Sequence, residues 1–342
     1  MPPDGGMKVL RLHGRRDVRV SEEPRPEIDA GSELVRVTCV GICGSDLHWY
    51  EEGGIGDAHF SRPLVLGHEP AGVIEDGPRK GIRVAIDPAV ACGRCSFCAE
   101  GNPNLCSNLR FAGHGSEDGA FREMMVWPSS SLVPVPDVLS DREIAMLEPL
   151  GVAIHAVDLG KVRPGDTVAV FGCGPIGLLI MQVALVAGAA CVVVTDRFPH
   201  RLEAARRLGA TATVLAGEDG EAESVWEATG GEGAAVSLEA ATENAAVESA
   251  IASARPGGRV VLVGIPDDDR TSFSASAARR KGLTIKLARR MKHTYPRAVK
   301  QVVDKTVDVA SIVSHRFTID RGAEAFDVAS RRNGLKVVIE PT

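Results

Sequence analysis

The sequence predicts an α/β protein of two domains, one β-rich and one with a parallel sheet. Its 342 residues exceed what one ordinary hydrophobic core encloses. Up to about residue 130 the chain contains short β-type runs separated by Gly and Pro, whereas strand-like and helix-like segments alternate after about residue 165. The change between these two patterns lies near residue 140.

The predicted elements follow in order along each half. Short strands are predicted in MKVLRL, DVRVSE, ELVRVTCV, AGVIE, IRVAID and FREMMVW, an arrangement that a barrel would fit. SDREIAMLEPLGVAIHAVDLG has helical spacing and begins with a Ser-Asp cap. The second half has strand-like TVAVFG, CVVVTD, ATVL, AAVSLEAA, RVVLVG and TIKLA, with helices predicted over 200–208 and 244–254. Alternation of this kind predicts parallel βαβ units.

Composition and charge exclude several classes of function. The chain is 44% hydrophobic with a net charge of −6, whereas binding a nucleic acid backbone requires a basic face. The first residues, MPPDGG, have neither the basic start nor the apolar run of a signal peptide. The apolar stretch 176–194 could cross a membrane, but Gly188 divides it into a helix-like and a strand-like part. We expect a cytoplasmic protein that binds neither nucleic acid nor membrane.

A glycine-rich turn, VAVFGCGPIG, links the first strand of the second half to a helix. Gly172, Gly174 and Gly177 have the G-x-G-x-x-G spacing. The first glycine permits a tight turn, the second lets the backbone approach a pyrophosphate, and the third lets the helix pack on the strand. Pro175 and Ile176 begin a helix whose free N–H groups can bind phosphate. The context predicts a Rossmann dinucleotide site, and the alternative is a turn that binds no nucleotide.

An acidic residue ends the next strand, at the position that selects the cofactor. Asp196 closes VVVTD, nineteen residues after Gly177. A carboxylate there accepts hydrogen bonds from the adenosine ribose and repels a 2′-phosphate. The sequence therefore predicts NAD rather than NADP, although the adjoining Arg197 leaves some use of NADP open.

Four cysteines lie close together in CGRCSFCAEGNPNLC. Clustered thiols in a chain without a secretion signal favour metal binding over disulfides. Four thiolates can surround Zn2+ tetrahedrally, and a site with four protein ligands has no open position, so it is structural. An iron–sulfur cluster and free thiols are the alternatives, but the ferredoxin spacing differs. The predicted ligands are Cys92, Cys95, Cys98 and Cys106.

A second set of metal-binding residue types is spread along the first half. GICGSDLHW contains Cys43, GHE contains His68 and Glu69, and EPLG contains a further acid, Glu148. Three such ligands and one exchangeable position make a catalytic zinc site. Each residue alone is as readily an ordinary buried or surface side chain. The prediction depends on their joint occurrence beside a nucleotide fold.

These motifs together are similar to those of the zinc-containing medium-chain dehydrogenases, above all the sorbitol (polyol) dehydrogenase branch. GICGSDLH, GHE, the four-cysteine lobe, EPLGVAIHA and GCGPIG occur in the same order, and the resemblance runs from about residue 8 to 340. It implies a GroES-like catalytic domain over 1–148 with a zinc lobe at about 88–110, and a Rossmann NAD-binding domain over 149–288. The C-terminal segment, 289–342, is expected to return to the first domain.

The resemblance also assigns residues to the catalytic metal and the cofactor. It implies that Cys43, His68 and either Glu69 or Glu148 hold the catalytic zinc. Besides the glycine-rich turn, the positions that match cofactor contacts are Ile176, Asp196, Arg201, Val263, Gly264, Ile265, Ala288, Arg289 and Arg290.

The implied reaction explains why GICGSDLHW places a thiol, a hydroxyl and an imidazole together. Zinc acts as a Lewis acid on a substrate hydroxyl, and hydride passes from the alcohol carbon to NAD+. Ser45 and His48 match the family's proton relay, which would carry the proton through the cofactor ribose to water. Asp46 is expected to cap the following helix or to support a ligand.

Substrate contacts are implied at Trp49, Glu148, Arg290 and Met291. Trp49 stands where polyol dehydrogenases often carry a tyrosine, and a packed aromatic is the alternative. Met291 replaces the aromatic that the family has beside its substrate arginine, so the individual polyol stays open. His114 is expected either to line the pocket or to lie on the surface.

The expected activity is oxidation of a secondary alcohol, a polyol or sugar derivative, to a ketone with NAD+. The alternatives are a zinc dehydrogenase of the same fold for threonine, a sugar acid or a simple alcohol, and a non-catalytic NAD-binding protein. We also expect a homo-oligomer, more a tetramer than a dimer. In it, strands such as RVVLVG and its neighbours would pair edge to edge.

Overall fold

The computed structural model describes residues 6–59, 61–217 and 220–341, and the chain forms two compact units. The first unit comprises the chain up to Glu148 together with the chain from Val313, and the second is Pro149–Ile312. The return to the first unit therefore begins at Val313, whereas the sequence interpretation placed it at 289. Segment 289–312 belongs to the second unit, where Gln182 and Asp308 exchange hydrogen bonds of 2.7 and 3.1 Å.

The secondary structure of the described residues agrees with the two predicted patterns. The strands are β1 (Gly6–Gly14), β2 (Asp17–Pro24), β3 (Ser32–Gly41), β4 (Gly54–Ile55), β5 (Ala58–His59), β6 (Leu64–Val65), β7 (Glu69–Ile74), β8 (Arg83–Ile86), β9 (Ala89–Val90), β10 (Arg110–Phe111), β11 (Met124–Pro128), β12 (Leu132–Pro134), β13 (Thr167–Phe171), β14 (Cys191–Asp196), β15 (Ala212–Leu215), β16 (Ala234–Glu239), β17 (Ala254–Leu262), β18 (Thr284–Leu287), β19 (Val313–Thr318) and β20 (Lys336–Glu340). The helices are α1 (Gly44–Glu52), α2 (Ser96–Ala99), α3 (Asp141–Ala145), α4 (Leu147–Gly160), α5 (Pro175–Val186), α6 (Pro199–Arg207), α7 (Glu221–Ala228), α8 (Asn244–Ser253), α9 (Ala275–Arg280), α10 (Tyr295–Val303) and α11 (Gly322–Ser330).

The first unit is built on a mostly antiparallel sheet of order β12-β8-β7-β3-β20-β19, with β11 also paired to β3. Short strands interrupted by turns suit such a sheet, because each strand places alternate side chains in the core. The core of this unit contains Trp127, Phe121 and Phe326, all essentially inaccessible to solvent. The last strand returns to the middle of this sheet, where Val338 of β20 lies opposite Gly41 of β3.

The predicted cap at the start of the helical region is confirmed. Ser140 precedes α3, and its hydroxyl accepts a hydrogen bond of 3.3 Å from the Glu143 N–H. The Glu143 carboxylate in turn accepts the Ser140 N–H at 2.7 Å. This reciprocal capping box satisfies two N–H groups that the helix itself leaves unpaired.

The second unit is the predicted Rossmann sheet. Its six parallel strands have the order β15-β14-β13-β16-β17-β18, so the strand order reverses between β13 and β16. Such a reversal opens a crevice at the carboxyl ends of the strands, where α/β proteins bind dinucleotides. The apolar stretch 176–194 divides between α5 and β14, as predicted. No helix among the described residues is long and apolar enough to cross a membrane.

The open edge of this sheet differs from the sequence expectation in one respect. The first four residues of RVVLVG form the end of β17, which is hydrogen-bonded on both sides, by β16 and by β18. Its neighbour β18 is an edge strand of the sheet, as β15 is on the opposite side, and Leu287 at the end of β18 is 73% exposed.

Candidate active site

The N-terminus of α1 is organised by one buried carboxylate. Cys43 is the extended residue before α1, and Asp46 in the first turn is completely buried. One oxygen of Asp46 accepts the Cys43 N–H at 2.9 Å. The other accepts the Gly67 N–H at 3.1 Å and lies 3.4 Å from Nδ1 of His68. Asp46 therefore caps the helix and supports a histidine, the two roles that the sequence suggested as alternatives.

The turn before β7 needs glycine. Gly67 has φ +91°, and a Cβ there would lie 3.0 Å from both Phe121 and Val40. The packed turn directs the next two residues, His68 and Glu69, into the interior, where they are 6% and 0% exposed. The local sequence thus delivers two polar side chains to a buried position.

Three candidate ligands converge at this place. The donor atoms of Cys43, His68 and Glu69 all lie within 4.8 Å of one another. Asp46 faces Nδ1 of the His68 ring, which leaves Nε2 for a metal, the arrangement that carboxylates produce at zinc-binding histidines. One sulfur, one imidazole nitrogen and one carboxylate oxygen are the donors of a zinc site with an open fourth position. The residues present therefore fit this ion.

The electrostatics of the cluster favour a cation. Burial alone would lower the pKa of His68, but Asp46 and Cys43 outweigh it and hold that pKa well above its usual value. An opposite charge nearby has this effect because it stabilises the protonated ring. A metal ion would replace the proton in satisfying the same negative groups.

A lysine from the returning strand β20 completes the surroundings of Glu69. Lys336 is 3% exposed, and its ammonium donates a 2.6 Å hydrogen bond to Oε1 of Glu69 and also contacts Oε2. Gly41 leaves room for this pair, since a Cβ there would lie 1.9 Å from the Glu69 carboxylate. Burial opposes protonation of Lys336, but the charges of Glu69 and Cys43 prevail and raise its pKa. Lys336 and Glu69 thus form a buried pair although 267 positions separate them in the sequence.

Glu148 lies beside this cluster but outside the three-ligand group. It is 7% exposed. Burial raises the pKa of Glu148 to about 8, while His68 opposes the shift and the charge of Glu69 adds to it. Its protonation thus responds to the same charges that would hold a metal.

The four-cysteine lobe is a separate group of ligands. The sulfurs of Cys95 and Cys98 are 3.5 Å apart, and those of Cys95 and Cys106 are 3.9 Å apart. Thiolates about 2.3 Å from one zinc ion lie about 3.8 Å from each other, whereas a disulfide is about 2 Å long. Backbone N–H groups of Cys98 and Ser107 lower the pKa of Cys95 to about 6. The lobe fits a structural zinc.

An aromatic wall stands next to the candidate catalytic ligands. The rings of His68 and Phe111 are 5.2 Å apart, and Trp49 meets His114 edge to face at 5.3 Å. Phe111 and His114 also meet at right angles, at 6.4 Å. Trp49 is 1% exposed and His114 is half-buried. His114 thus contacts the packed aromatic group and is not a surface residue.

Three polar side chains follow one face of α1. Ser45 Oγ lies 3.3 Å from Nε2 of His68. His48, three residues later, is 7% exposed, and its Nδ1 is 3.6 Å from the carboxylate of Glu52, whose side chain is 41% exposed. Residues three and four apart on a helix are neighbours. The face therefore runs from the candidate metal ligands towards solvent.

The glycine-rich turn of the second unit has the geometry of a phosphate-binding turn. Gly172 has φ +97°, and a Cβ at Gly177 would lie 1.7 Å from the carbonyl oxygen of Gly172. Gly174 has space around it, since among the described residues beyond its chain neighbours a Cβ there would meet a guanidinium nitrogen of Arg201 at 3.8 Å and nothing nearer. An anion at the start of α5 would meet this cation and the free N–H groups of the helix.

Asp196 has two backbone partners. Its oxygens accept the N–H groups of Cys173 at 2.7 Å and Phe198 at 2.9 Å. Arg201 approaches to 3.8 Å and stacks over Phe198. The carboxylate is therefore fixed at the end of β14, next to the glycine-rich turn.

The remaining cofactor positions lie at the same edge of the sheet. They follow the carboxyl ends of β17 and β18, and Ala288 donates a 2.8 Å hydrogen bond to Leu262. Arg290 has φ +54°. Met291 packs on α4, since a Cβ at Gly151 would lie 2.4 Å from its sulfur. The positions concerned are Val263, Gly264, Ile265, Ala288, Arg289 and Arg290, with Pro175 and Ile176 at the start of α5.

Comparison with known proteins agrees with both units. The family described as zinc-binding dehydrogenase matches residues 175–304, and the alcohol dehydrogenase GroES-like domain matches residues 29–137. Sorbitol dehydrogenase of Bacillus subtilis (strain 168) is 36% identical over 98% of this chain and 97% of its own length.

Two solved structures resemble the whole chain. An alcohol dehydrogenase of Escherichia coli CFT073, in complex with NADH, has a TM-score of 0.90 and 30% identity, covering 98% of this chain and 99% of the other. A zinc-binding dehydrogenase of Sinorhizobium meliloti 1021, bound to NADP, has a TM-score of 0.90 and 29% identity, covering 98% and 100%.

The chain belongs to the zinc-containing medium-chain dehydrogenases. Within that family it lies in the polyol dehydrogenase branch, and it is a zinc-dependent alcohol/polyol oxidoreductase. The predicted fold class, a GroES-like domain with a Rossmann domain, is confirmed.

Sequence reasoning missed three charged residues of this dehydrogenase. Lys336 pairs with Glu69, and its only signal was a lysine at the start of an apolar strand, KVVIE. Glu52 continues the polar face of α1 and looked like an ordinary surface acid. Glu239 ends β16 as Asp196 ends β14, and this equivalence was a usable signal.

Proposed function

We propose that this dehydrogenase oxidises a secondary hydroxyl of a polyol or sugar derivative to a ketone, with NAD+ as hydride acceptor and release of one proton. The observation that carries the proposal is the buried group of Cys43, His68 and Glu69, with Asp46 fixing the histidine ring. A zinc ion bound there supplies Lewis acidity, which lowers the pKa of the substrate hydroxyl.

Cys43, His68 and Glu69 would hold the catalytic zinc, with Lys336 setting the position of the Glu69 carboxylate. A buried carboxylate with an ammonium partner keeps one geometry, because breaking the pair leaves an uncompensated charge. Glu148 is proposed to line the site near the substrate as a protonated carboxylic acid, or as one that shares its proton with a neighbouring group, since burial raises its pKa to about 8. A bound cation would lower that pKa.

The polar face of α1 is proposed as the proton path. Ser45 Oγ, 3.3 Å from the His68 ring, is placed to accept the hydroxyl proton. His48 is the next titratable group along the helix, and Glu52 stands at its exposed end, 3.6 Å away. An imidazole suits this step because its usual pKa is near neutrality.

The aromatic wall of Trp49, Phe111 and His114 is proposed to bound the substrate. Its packed rings support an apolar surface against the carbon chain of a polyol, and the imidazole of His114 is its polar member. Arg290 and Met291 remain proposed substrate contacts of the second unit. A methionine cannot donate a hydrogen bond, so it favours a substrate or part of one with fewer hydroxyl groups to satisfy.

The proposed cofactor is NAD in preference to NADP. Asp196 is held by two backbone N–H groups, so it cannot move away from a 2′-phosphate cheaply. Arg197 is already paired with Glu243 at 2.7 Å, which reduces its value as a phosphate ligand. We expect kcat/KM for NAD+ to exceed that for NADP+ roughly a hundredfold, about 2.7 kcal/mol.

A homo-oligomer is proposed to form through the free edge of β18. A strand edge offers unpaired N–H and C=O groups, and the exposed Leu287 would be covered by a second copy. A tetramer would need a second contact besides this one. Light scattering of Leu287→Asp should show a smaller particle than the unmodified chain, and an unchanged mass would contradict edge pairing. The thiol-rich lobe would suit a reducing compartment, and we propose the cytoplasm.

The substrate is tested by the appearance of NADH with a panel of polyols, sugar acids, threonine and simple secondary alcohols, after zinc has been counted per chain. We expect turnover to be highest with a polyol or sugar derivative. Higher activity with threonine or a simple alcohol would replace the proposed substrate, and binding of NADH without turnover on any alcohol would indicate a non-catalytic protein.

The third metal ligand is tested by a matched pair of variants. Glu69→Gln should lose most of the catalytic zinc, whereas Glu148→Gln should keep it and change KM for the alcohol. The opposite pattern of metal content would assign the ligand to Glu148.

A further inference from the structure

Glu239 is a buried carboxylate in the middle of the nucleotide-binding edge. It is the last residue of β16 and is 2% exposed. In the sheet register it lies between Phe171 of β13 and Leu262 of β17. Glu239 therefore stands beside the crevice where the strand order reverses.

The carboxylate joins two successive loops. Oε1 accepts the Ala241 N–H at 2.6 Å, in the loop after β16, and Oε2 accepts the Gly264 N–H at 3.3 Å, in the loop after β17. The Glu239 carbonyl also accepts the Val263 N–H at 2.8 Å and shares the Gly264 N–H at 3.3 Å. One side chain thus fixes the distance between neighbouring loops.

Three loops are in van der Waals contact at this point. A Cβ at Gly264 would lie 1.6 Å from the Ala241 carbonyl oxygen and 2.5 Å from Oε1 of Glu239. A Cβ at Gly172, in the loop after β13, would lie 2.9 Å from the Ala240 carbonyl oxygen. The glycine-rich turn therefore rests on the loop that Glu239 holds, and a shift of that loop would move the turn.

The partners of the carboxylate are all uncharged. Burial raises the pKa of Glu239 to about 7, and the N–H groups of Ala241, Gly264 and Val263 oppose the shift. On the neighbouring loops, the charged residues Asp196 and Arg201 lie 3.8 Å apart, Arg197 and Glu243 pair with each other at 2.7 Å, and burial raises the pKa of the Cys173 thiol so that it stays neutral.

The two protonation states differ in what they can hold. An ionised carboxylate accepts strongly from the part-buried N–H groups of both loops, whereas a protonated one has a hydroxyl that donates and is a weaker acceptor, so its hold on one loop weakens. Hydrogen bonds to a charged acceptor are stronger than those to a neutral one, so protonation of Glu239 lowers the free energy that keeps the two loops together.

We propose that Glu239 is a positioning residue that acts as a proton-sensitive clamp. When ionised it holds the loops after β16 and β17 at the spacing that the dinucleotide requires, and when protonated it releases one of them, so that cofactor affinity falls in acid. The inference rests on NAD as the cofactor and concerns binding, not the zinc chemistry.

The test is a fluorescence titration of the zinc-loaded protein with NADH between pH 6 and 8.5. If only the ionised state binds, Kd should rise about tenfold from pH 8 to pH 6. Glu239→Gln accepts through one oxygen only, so its Kd should be weak and independent of pH. Glu239→Asp keeps a carboxylate and should keep a pH-dependent Kd. Glu232→Gln, an exposed acid just before β16, is the matched control and should behave as the unmodified chain.

Several outcomes would overturn the clamp. They are a Kd of the unmodified protein that is flat or tightens towards acid, a normal pH slope in Glu239→Gln, and a flat profile in Glu239→Asp. Circular dichroism and melting curves check folding at each pH, and if the Gln variant does not fold, the unmodified protein and the Asp variant still decide. No binding of NADH at any pH would instead refute the cofactor site itself.

Discussion

The two groups of metal-binding side chains in the first unit are built in different ways. His68 and Glu69 are buried, and each has a charged partner from elsewhere in the fold, Asp46 or Lys336. The four cysteines of the lobe lie within one short segment, beside side chains such as Phe97 that are 42% exposed. Their hydrogen-bond partners are backbone N–H groups and one another.

The different surroundings indicate how much each zinc ion would contribute to the stability of the fold. Packing and ion pairs already hold the candidate catalytic ligands, so zinc there adds chemistry more than structure. In the lobe the large apolar side chains Phe97 and Leu105 are exposed, and for such small segments metal binding supplies folding free energy. Zinc would thus be a catalytic ion at Cys43, His68 and Glu69, and a structural cross-link in the four-cysteine lobe.

The largest effect should come from the catalytic group. His68→Ala should lower kcat/KM for the best alcohol by at least about a thousandfold, roughly 4 kcal/mol, because the Lewis acid is lost or misplaced. NADH binding should survive, since the cofactor residues lie in the second unit. Steady-state kinetics and a fluorescence titration measure the two effects.

The control for this variant is His13→Ala, which removes an exposed imidazole from β1. It should leave kcat/KM unchanged. A His68→Ala enzyme with near-normal kcat would refute the catalytic zinc assignment.

In the lobe, Cys95→Ser should act on stability instead. We expect one zinc fewer per chain and a loss of about 3 kcal/mol, or several degrees in Tm, because the remaining thiols no longer close a tetrahedron. Calorimetry with metal analysis measures both, and Cys191→Ser, a thiol outside the metal groups, is the control. Loss of metal without a change in Tm would contradict a structural role.

A smaller effect is expected when the support of a ligand is removed and the ligand is kept. Asp46→Asn can still accept one N–H but cannot pair with a charged or polarised His68 ring. Zinc affinity at the catalytic group should fall roughly 10–100-fold, while the lobe keeps its metal. Competition with a chromophoric chelator measures the affinity, and Asp57→Asn, an exposed acid, should bind zinc normally.

The smallest change in stability is expected when a weak chelator removes zinc stepwise from the unmodified enzyme. A site with an open position exchanges its metal more readily than one closed by four thiolates. Activity should therefore vanish with the first zinc, at a nearly constant Tm, and Tm should fall only with the second. Simultaneous loss of both ions would show that the two sites are not built differently.

Local sequence patterns were enough to predict those structural elements that depend on residues close together in the chain. The glycine-rich turn, the Ser140 cap and the four-cysteine lobe each depend on residues within one short segment, and the structure places them as expected. Relations between distant segments were less accessible. The point of return at Val313 and the edge strand β18 depend on packing that no local spacing encodes.

Short motifs were sufficient to predict the family, the fold class and the residue types of both metal groups, because ligand chemistry and turn geometry depend on residues that are close together in the sequence. The folded chain adds which groups share a buried space. The Glu69 carboxylate lies close to Cys43 and His68 with Glu148 nearby, Lys336 lies against Glu69, and Glu239 lies between two loops. Charges in a low-dielectric interior interact strongly with whatever lies next to them. Their neighbours come from strands hundreds of residues apart, as with Lys336 and Glu69, 267 positions away, so their roles follow from the folded chain.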